Sequence, residues 1–340
     1  MKLAIIGATG EVGRMVLTCL EEFEVKFDVL DLYASFKSKG TIIKSKNNSY
    51  RINGFDNDSF KKNYDYVFFT AGGAISKDFA QDAVDSGATV IDNSSAFRQI
   101  DFIPLVVPEV NGDILKSYKG IIANPNCSTI QLVLVLKPLN DYKKIKKVVV
   151  TTMQSVSGTG RTGIIELQNQ RNGLSDAKVY PKQIDLNIIP QIGEFNSTET
   201  ESSLHNTSLN IGRYCHEETK MTLETKKILN ITNFNLVATT VRVPVIYGHS
   251  ESVYIEFEEK VRLEEIKYAL SQSNAVLYEE NYITPLEVGD SNLSHVSRLR
   301  YAGDDKSILF WNVANNVRVG AATNAVKILQ KHRIFNASLF

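Results

Sequence analysis

The sequence predicts an α/β protein in which a doubly wound parallel sheet is followed by an α+β domain with a mainly antiparallel sheet. In the first part of the chain, short apolar runs alternate with amphipathic helical patterns, which is typical of a parallel sheet covered by helices. In the later part, longer runs alternate between apolar and polar residues, which is typical of antiparallel strands with one covered face.

The first part contains four strand-like runs and two helical segments. The strand-like runs are residues 2–6, 27–33, 66–70 and 89–91. A helical pattern follows Gly13, with Cys19 on its apolar stripe, and a second covers residues 77–85. Residues 41–53 alternate weakly and predict a hairpin or an edge strand.

The second part begins with a helix over residues 129–139. A buried strand (146–153) and a helix (160–170) follow, and the alternating runs are residues 236–243, 252–258, 295–300 and 308–313. Residues 194–216 are polar and predict a surface loop. The last helix, over 320–331, begins with small residues that allow close approach to another backbone, which we expect to be that of the first domain.

Composition excludes several classes of function. The 340 residues are 43% apolar and 22% charged, and 38 basic residues balance 38 acidic ones, so no net field attracts nucleic acid or an anionic membrane. No apolar stretch approaches the ~20 residues of a membrane-spanning helix, and no signal-peptide pattern precedes the first strand. Three cysteines cannot all pair, which favours a reducing cytoplasm.

A glycine loop joins the first strand to the first helix. Its pattern, Gly7-x-x-Gly10-x-x-Gly13, departs from the usual dinucleotide fingerprint, but a strand precedes it and a helix follows. Backbone N–H groups of residues 9–12 would meet a pyrophosphate at the helix N-terminus. A tight turn without a ligand would look similar. The context favours a Rossmann-like, dinucleotide-binding domain.

The end of the second strand bears on the choice of cofactor. An NAD site usually places an acidic residue there, and Asp31 lies in this region. It is followed, however, by two hydroxyls and two cations within residues 35–39. Ser35, Lys37 and Ser38 suit a 2′-phosphate, so the sequence favours NADP, although a solvated polar turn would have the same composition.

Cys127 lies where a buried run ends in a turn and a new helix begins. The N-terminus of a helix stabilises a thiolate, and polar residues flank this thiol, whereas most lone cysteines are inert and buried. A nucleophilic cysteine with a nicotinamide cofactor indicates thioester chemistry. Among five histidines, His249 is the preferred proton partner because Gly248 and residues 250–252 predict a turn at a sheet edge.

Taken together, these residues resemble the aspartate-β-semialdehyde dehydrogenase family over nearly the whole chain. The segments that carry the resemblance are Gly-Ala-Thr-Gly-Glu-Val-Gly (7–13), Phe-Thr-Ala-Gly-Gly (69–73), Asp-Asn-Ser-Ser-Ala-Phe-Arg (92–98), Val-Pro-Glu-Val-Asn (107–111), Asn-Pro-Asn-Cys-Ser-Thr (124–129), Gln-Ser-Val-Ser-Gly-Thr-Gly (154–160), Arg242 with His249-Ser-Glu-Ser, and Arg318-x-Gly-Ala-Ala-Thr-Asn-Ala-Val (318–326).

The resemblance implies that the protein catalyses the reductive dephosphorylation of L-4-aspartyl phosphate, with NADPH as reductant, to L-aspartate 4-semialdehyde and phosphate. It gives Cys127 the role of acyl-thioester nucleophile, His249 that of general acid/base, and Gln154 that of orienting the intermediate. It further implies binding of the phosphate by Arg98, Asn126 and Lys220, of the substrate carboxylate by Arg242, and of its ammonium by Glu217. No metal is implied.

The resemblance also implies a set of cofactor-binding residues and a division into domains. The cofactor residues are Gly7, Thr9, Gly10, Glu11, Val12, Ser35, Lys37, Ser38, Ala71, Gly72, Ser157, Gly158 and Asn316. The cofactor domain is expected at residues 1–127, with the helix at about 318–340 packed back on it. The catalytic and dimerisation domain is expected at 128–317, and relatives are dimers or dimers of dimers.

Several residues depart from the family pattern. Lys37 stands where the family usually has arginine, and Asn315 replaces an acid. The segment before Glu217 is long, so Glu218 is an alternative ligand for the ammonium. Two other functions stay open: an N-acetyl-γ-glutamyl-phosphate reductase, and a catalytically inactive NADP-binding paralogue.

Overall fold

The computed structural model describes residues 1–46, 48–174, 178–196, 214–231 and 233–336. The chain forms two compact units, one of residues 1–130 with 317–340 and the other of residues 131–316. The boundary lies inside one helix, three residues after the division expected at residue 127. Most of the polar segment 194–216, and the end of the segment 318–340, lie outside the described residues.

Strands and helices largely alternate along the first unit, whereas several strands of the second unit follow one another without a helix between them. The strands are β1 (Lys2–Ile6), β2 (Val29–Ala34), β3 (Ile42–Lys44), β4 (Ser49–Gly54), β5 (Tyr66–Phe69), β6 (Thr89–Asp92), β7 (Ile121–Ala123), β8 (Ile145–Gln154), β9 (Asn235–Arg242), β10 (His249–Phe257), β11 (Val276–Glu279), β12 (Ser294–Tyr301) and β13 (Ser307–Ala314). The helices are α1 (Glu11–Glu22), α2 (Gly73–Asp85), α3 (Pro108–Asn111), α4 (Cys127–Tyr142), α5 (Arg161–Arg171), α6 (His216–Leu229), α7 (Leu263–Ser271), α8 (Pro285–Val288) and α9 (Thr323–Phe335).

The sheet of the first unit has the strand order β3-β4-β2-β1-β5-β6-β7. All neighbours pair in parallel except β3 and β4, which form the predicted hairpin. Strand order reverses beside β1, since β2 lies on one side of it and β5 on the other. In such sheets ligands bind outside the carboxyl ends of the strands at this point of reversal. The predicted doubly wound fold is confirmed.

One hydrophobic core joins the first sheet to α1 and α9. Val16, Cys19 and Leu20 on the apolar face of α1 are buried in the same cluster as Ala322 and Ala325. A single π-helical turn (Arg318–Ala322) leads into α9. The small residues at the start of this segment therefore lie against the first unit, and Cys19 has a packing role.

The sheet of the second unit has the order β11-β12-β13-β10-β8-β9. The three central pairings are antiparallel, whereas β8–β9 and β11–β12 are parallel. Along β8 and β10, fully buried residues alternate with half-buried ones, so one face is covered and the other is partly open. The predicted, mainly antiparallel sheet is confirmed.

Element boundaries differ from the sequence prediction at several points. Helix α4 begins at Cys127 rather than at residue 129, and α2 begins at Gly73 rather than 77. The prediction of a turn around His249 is wrong, because His249 already pairs with Ala314 as the first residue of β10. Across the described ranges, no helix combines the length and apolarity needed to cross a membrane.

Candidate active site

The glycine turn after β1 requires small residues because backbone segments meet there. Gly7 has a φ of +90°, and a Cβ on it would lie 2.7 Å from the backbone nitrogen of Ala71. A Cβ on Gly13 would lie 2.4 Å from the carbonyl oxygen of Gly7. Gly10 caps α1, whose first residues are Glu11 and Val12. The turn thus presents the N-terminus of α1 where the strand order reverses, and helix N-termini at such positions favour anions.

The turn after β2 carries Ser35, Lys37 and Ser38. Ser35 and Lys37 are exposed, and residues 36–38 form a short 3-10 turn. Asp31 lies within β2, and its Oδ2 accepts hydrogen bonds from Lys62 Nζ (2.7 Å) and Tyr64 OH (2.5 Å). These contacts engage one oxygen of the carboxylate, and Oδ1 accepts a longer hydrogen bond from Asn53 Nδ2 (3.5 Å).

Ala71 and Gly72 lie at the end of β5 and are exposed. Gly72 has a φ of +97°, and a Cβ placed on it would meet no atom within 4 Å. The space above this turn is therefore open. The three turns after β1, β2 and β5 lie at the same edge of the sheet and together suit a dinucleotide.

Cys127 follows β7 at this same edge of the sheet. It is the first residue of α4, and Asn126 caps the helix, since its Oδ1 accepts the N–H groups of Ser128 (3.0 Å) and Thr129 (3.2 Å). Cys127 is partly exposed, whereas Cys19 and Cys215 are buried. A Cβ on Gly320 would lie 2.6 Å from the Cβ of Cys127, so this position must be glycine.

Buried amides fix the loop that precedes Cys127. Asn124 donates to Asn93 Oδ1 (2.7 Å) and to the carbonyl of Ala321 (3.1 Å), and its Oδ1 accepts from Asn324 (2.6 Å). Arg98, which is 8% exposed, donates to the carbonyls of Asn124 and Asn93 (2.9 Å each). Arg98 and Asn126 therefore belong to the same loop region as the thiol.

The predicted catalytic and carboxylate-binding residues of the second unit come together around Gly158. Gln154 and Arg242 are paired neighbours at the ends of β8 and β9. A Cβ on Gly158 would lie 2.9 Å from Arg242 Nη1 and 3.3 Å from His249 Nε2. Arg242 is 5% exposed and donates to the carbonyl of Ser155 (2.6 Å). The absence of a side chain at 158 thus leaves space between a guanidinium and an imidazole.

His249 is fully buried, and its ring is oriented by Ser155. Its Nδ1 accepts a hydrogen bond from the backbone N–H of Ser155 (3.1 Å) and lies 3.0 Å from Ser155 Oγ. Burial and the nearby charge of Arg242 lower the pKa of His249 well below its usual value. The imidazole is therefore neutral at physiological pH.

Glu217 and Glu218, the two candidate ligands for the substrate ammonium, have different hydrogen-bond partners. Glu217 Oε1 accepts from Gln154 Nε2 (3.1 Å), and Glu217 Oε2 lies 3.6 Å from Lys220 Nζ. Glu218 instead accepts the backbone N–H groups of Cys215 (2.9 Å) and Thr240 (3.0 Å). Since Glu218 is engaged with the backbone, the geometry favours Glu217 as the ligand.

Ser157 and Asn316, both expected at the cofactor, take part in the network behind His249. The Oδ1 of Asn316 accepts from Ser155 Oγ (3.1 Å), Ser157 Oγ (3.2 Å) and the N–H of Gly248 (2.9 Å). This amide therefore holds together the turn after β8 and the start of β10.

Known proteins resemble the chain along nearly its whole length. Residues 2–118 match the family described as semialdehyde dehydrogenase, NAD binding domain, and residues 136–319 match semialdehyde dehydrogenase, dimerisation domain. Aspartate-semialdehyde dehydrogenases from Campylobacter jejuni and Aquifex aeolicus are 42% and 41% identical, covering 97% of this chain and 96% and 97% of theirs. The chain belongs to the aspartate-semialdehyde dehydrogenase family.

A solved structure of the same family supports this assignment. Aspartate semialdehyde dehydrogenase II from Vibrio cholerae, complexed with ASA, has a TM-score of 0.89 and 37% identity, and the match covers 98% of both chains. As a member of this family, the chain is an oxidoreductase with a nicotinamide-dinucleotide-binding domain.

Three residues at or near the sites of this family member were missed by sequence reasoning. Ser155 orients His249, and Asn324 supports the Cys127 loop. Glu251 is fully buried in β10, where burial raises its pKa to about 8. Its Oε2 accepts from Asn312 Nδ2 (2.9 Å). All three residues lie within segments that carry the family resemblance, but nothing in the local sequence indicates their contacts with distant residues.

Proposed function

We propose that the chain catalyses the reductive dephosphorylation of L-4-aspartyl phosphate to L-aspartate 4-semialdehyde, with NADPH as reductant. The reaction belongs to the biosynthesis of lysine, methionine, threonine and diaminopimelate from aspartate. Family membership supports the reaction class. The proposed substrate is supported by Arg242, Gln154 and Glu217 in the second unit. The guanidinium of Arg242 can bind an α-carboxylate, and the carboxylate of Glu217 can bind an α-ammonium.

The nucleophile in this proposal is Cys127. Its sulfur attacks the acyl carbon of aspartyl phosphate, the C–O bond to phosphate breaks, and a thioester forms, with the thiol proton leaving on the phosphate. When bound, NADPH supplies the hydride that reduces the thioester carbonyl. The tetrahedral adduct then expels the sulfur and releases the aldehyde. The position of Cys127 at the first residue of α4 supports this role.

Phosphate binding is proposed for Arg98, Asn126 and Lys220. Arg98 carries a charge into a largely buried loop region, and guanidinium groups bind phosphate oxygens bidentately. Lys220 is about one-third exposed and lies near Glu217, so it can reach an anionic ligand as a point charge.

The choice of NADP rests on the turn after β2. Ser35, Lys37 and Ser38 would hold the 2′-phosphate, while Oδ2 of Asp31 already accepts hydrogen bonds from Lys62 and Tyr64. The glycine turn at residues 7–13, with Ala71 and Gly72, would hold the pyrophosphate region. Ser157, Gly158 and Asn316 are proposed to lie near the nicotinamide.

A homodimer, or a dimer of dimers, in the cytoplasm is proposed as the working state. Side chains of β8, β10 and β13 on the open face of the second sheet are half-buried and in part apolar. The match to a dimerisation domain supports this face as the interface. The three cysteines, all in described parts of the chain, are thiols, which agrees with a reducing compartment.

The proposed reaction is tested by running it in reverse in a spectrophotometer. We expect NADP reduction with aspartate semialdehyde and phosphate, and little with N-acetylglutamate semialdehyde, because Glu217 would face an uncharged amide. Faster reduction with the acetylated substrate would instead identify an N-acetyl-γ-glutamyl-phosphate reductase. NADPH binding without turnover on either substrate would identify an inactive paralogue.

A further inference from the structure

Tyr180 is a buried aromatic residue of the second unit to which the proposed reaction gives no role. It lies in the segment between α5 and α6, is 8% exposed, and packs in a hydrophobic cluster that includes Val156, Leu167 and Ile184. The Cζ atom of Arg242 lies 5.9 Å from the centre of its ring. A guanidinium within about 6 Å of an aromatic ring is attracted to the ring face. The group proposed to bind the substrate carboxylate therefore lies against an aromatic surface.

The backbone of the segment that carries Tyr180 is fixed at two places. Glu166 of α5 is 4% exposed, and its carboxylate accepts the backbone N–H groups of residues 178, 179 and 180 at 2.9, 2.5 and 3.3 Å. Farther along, Ile189 and Arg242 each donate their backbone N–H to the carbonyl of the other (3.0 and 2.8 Å). Hydrogen bonds to a carboxylate are stronger than those between neutral groups. The segment is therefore tied both to α5 and to the strand that carries Arg242.

The hydroxyl of Tyr180 fixes the far end of the ring. It donates to the carbonyl of Val156 (3.2 Å) and lies 3.1 Å from Thr159 Oγ1. A Cβ on Gly163 would lie 2.4 Å from this hydroxyl, so the ring can reach the turn only because residue 163 is glycine. Burial raises the pKa of Tyr180 above its usual value, so the hydroxyl keeps its proton. The ring is thus a neutral surface held at both ends.

Neither the ring nor the hydrogen bond from Arg242 to Ser155 neutralises the positive charge of the guanidinium. Nη1 of Arg242 donates to the carbonyl of Ser155 (2.6 Å), and the ring of Tyr180 is uncharged. A carboxylate in place of the ring would form an ion pair with Arg242 and would compete with the α-carboxylate of the substrate. An aromatic face instead orients the planar guanidinium without using its N–H donors. Orienting such a group before the ligand arrives lowers the entropy lost on binding.

We propose that Tyr180 is a positioning residue for substrate binding, whose ring holds the guanidinium of Arg242 in the orientation that receives the α-carboxylate. This inference rests on the proposed function, in which Arg242 binds that carboxylate. The ring acts through Arg242 and takes no part in the chemical step. Glu166 and Gly163 support it, the first by fixing the backbone and the second by leaving room for the hydroxyl.

The role of the ring is tested by comparing Tyr180→Leu with Tyr180→Phe in the oxidation of aspartate semialdehyde with NADP and phosphate. Leucine is apolar but has no aromatic face, so the KM for the semialdehyde should rise about tenfold, while kcat and the KM values for NADP and phosphate stay within about twofold. Phenylalanine keeps the ring and should change the semialdehyde KM by less than about threefold. An unchanged KM in Tyr180→Leu, a loss confined to kcat, or an equal rise in Tyr180→Phe would overturn the proposal.

Leu167→Ala is the control for a general loosening of the hydrophobic cluster. Leu167 is fully buried in the same cluster, so its truncation should lower the melting temperature but leave the semialdehyde KM within about twofold. A tenfold rise of the KM in Leu167→Ala would show that packing of the cluster, and not the aromatic ring, determines the affinity. If Tyr180→Leu does not fold, Tyr180→Met replaces it, because the unbranched methionine side chain fills irregular spaces.

Labelling of Arg242 with phenylglyoxal separates this inference from the proposed function. The reagent modifies guanidinium groups, and mass spectrometry of the peptides gives the rate at Arg242 and, as an internal reference, at the exposed Arg298. We expect Arg242 to react several-fold faster in Tyr180→Leu than in the unaltered protein or in Tyr180→Phe, with the rate at Arg298 unchanged. Equal rates at Arg242 in all three proteins would mean that the ring does not hold the guanidinium. If the unaltered protein lacks turnover on aspartate semialdehyde, the proposed function fails, and the labelling still decides whether Tyr180 holds Arg242.

Discussion

Single residues determine the chemistry of both units, and glycines are as important as charged side chains. Gly158 and Gly320 each occupy a position where a methyl group would contact a residue with a proposed or expected role in the reaction, His249 and Cys127 respectively. Ser155 contributes a backbone N–H, which no substitution of its side chain removes. The roles of His249 and Arg242 therefore depend on neighbours whose side chains are small.

The space at Gly158 is tested by Gly158→Ala. The added methyl would lie 2.9 Å from Arg242 Nη1 and must displace it, so we expect kcat/KM to fall by roughly 10²-fold with the fold retained. Steady-state kinetics and a thermal melt measure the two effects. Gly112→Ala is the control, because its methyl would lie 3.3 Å or more from its nearest neighbours, the side chains of Lys331 and Pro108. Full activity in Gly158→Ala would contradict the proposed geometry.

Selection of NADP is tested at Lys37. Because its cation is proposed to contact the 2′-phosphate, Lys37→Ala should weaken NADPH binding about tenfold and leave NADH binding unchanged, as expected for one exposed charge-assisted contact. Fluorescence titration of both cofactors provides the measurement. Lys61→Ala, which removes an exposed lysine paired with Asp58, serves as the control. If Lys37→Ala weakened the binding of NADPH and NADH equally, Lys37 would not contact the 2′-phosphate.

At the scale of elements, periodicity predicted most strands and helices but not where they begin. The alternation of residues 252–258 revealed β10, yet the strand starts at His249 because its backbone pairs with Ala314, 65 positions away. The amide network of Asn93, Asn124 and Asn324 likewise joins distant segments. These residues lie within segments that carry the family resemblance, but sequence alone does not predict which of them contact one another.

A buried carboxyl in β10 makes stability depend on pH. The folded pKa of Glu251, about 8, lies above the unfolded value near 4.5, so the folded state holds the proton longer, and stability falls as pH rises between these values. Glu251→Gln should therefore raise the free energy of unfolding by on the order of 2–4 kcal/mol at pH 8, and by little at pH 5. Urea unfolding at both values measures this difference.

Glu256→Gln is the matched control for this prediction. Glu256 lies in the same strand but is partly exposed and paired with Lys146. Glu256→Gln should therefore show no comparable rise in the free energy of unfolding at pH 8. A loss of stability in Glu251→Gln at pH 8 would mean that the carboxylate is charged in the folded protein and that the buried site accommodates it.

For the whole molecule, the open face of the second sheet is the feature that an assembly would cover. Val149 of β8 lies at its centre, paired with Tyr254 on one side and Val237 on the other. A charge in a desolvated interface is costly. Val149→Glu should therefore yield monomers in sedimentation-velocity experiments, whereas Leu277→Glu, at the edge strand β11, should not. An unchanged assembly in Val149→Glu would place the interface elsewhere.

The central claim is that the acyl group passes through a covalent bond to Cys127. Mass spectrometry of the protein mixed with aspartate semialdehyde and NADP, without phosphate, tests it most directly, because the thioester then lacks its natural acceptor. We predict an aspartyl adduct on the peptide that contains Cys127, removed by added phosphate and missing in Cys127→Ser. NADP reduction by Cys127→Ser at the normal rate, or an adduct on another residue, would contradict the account.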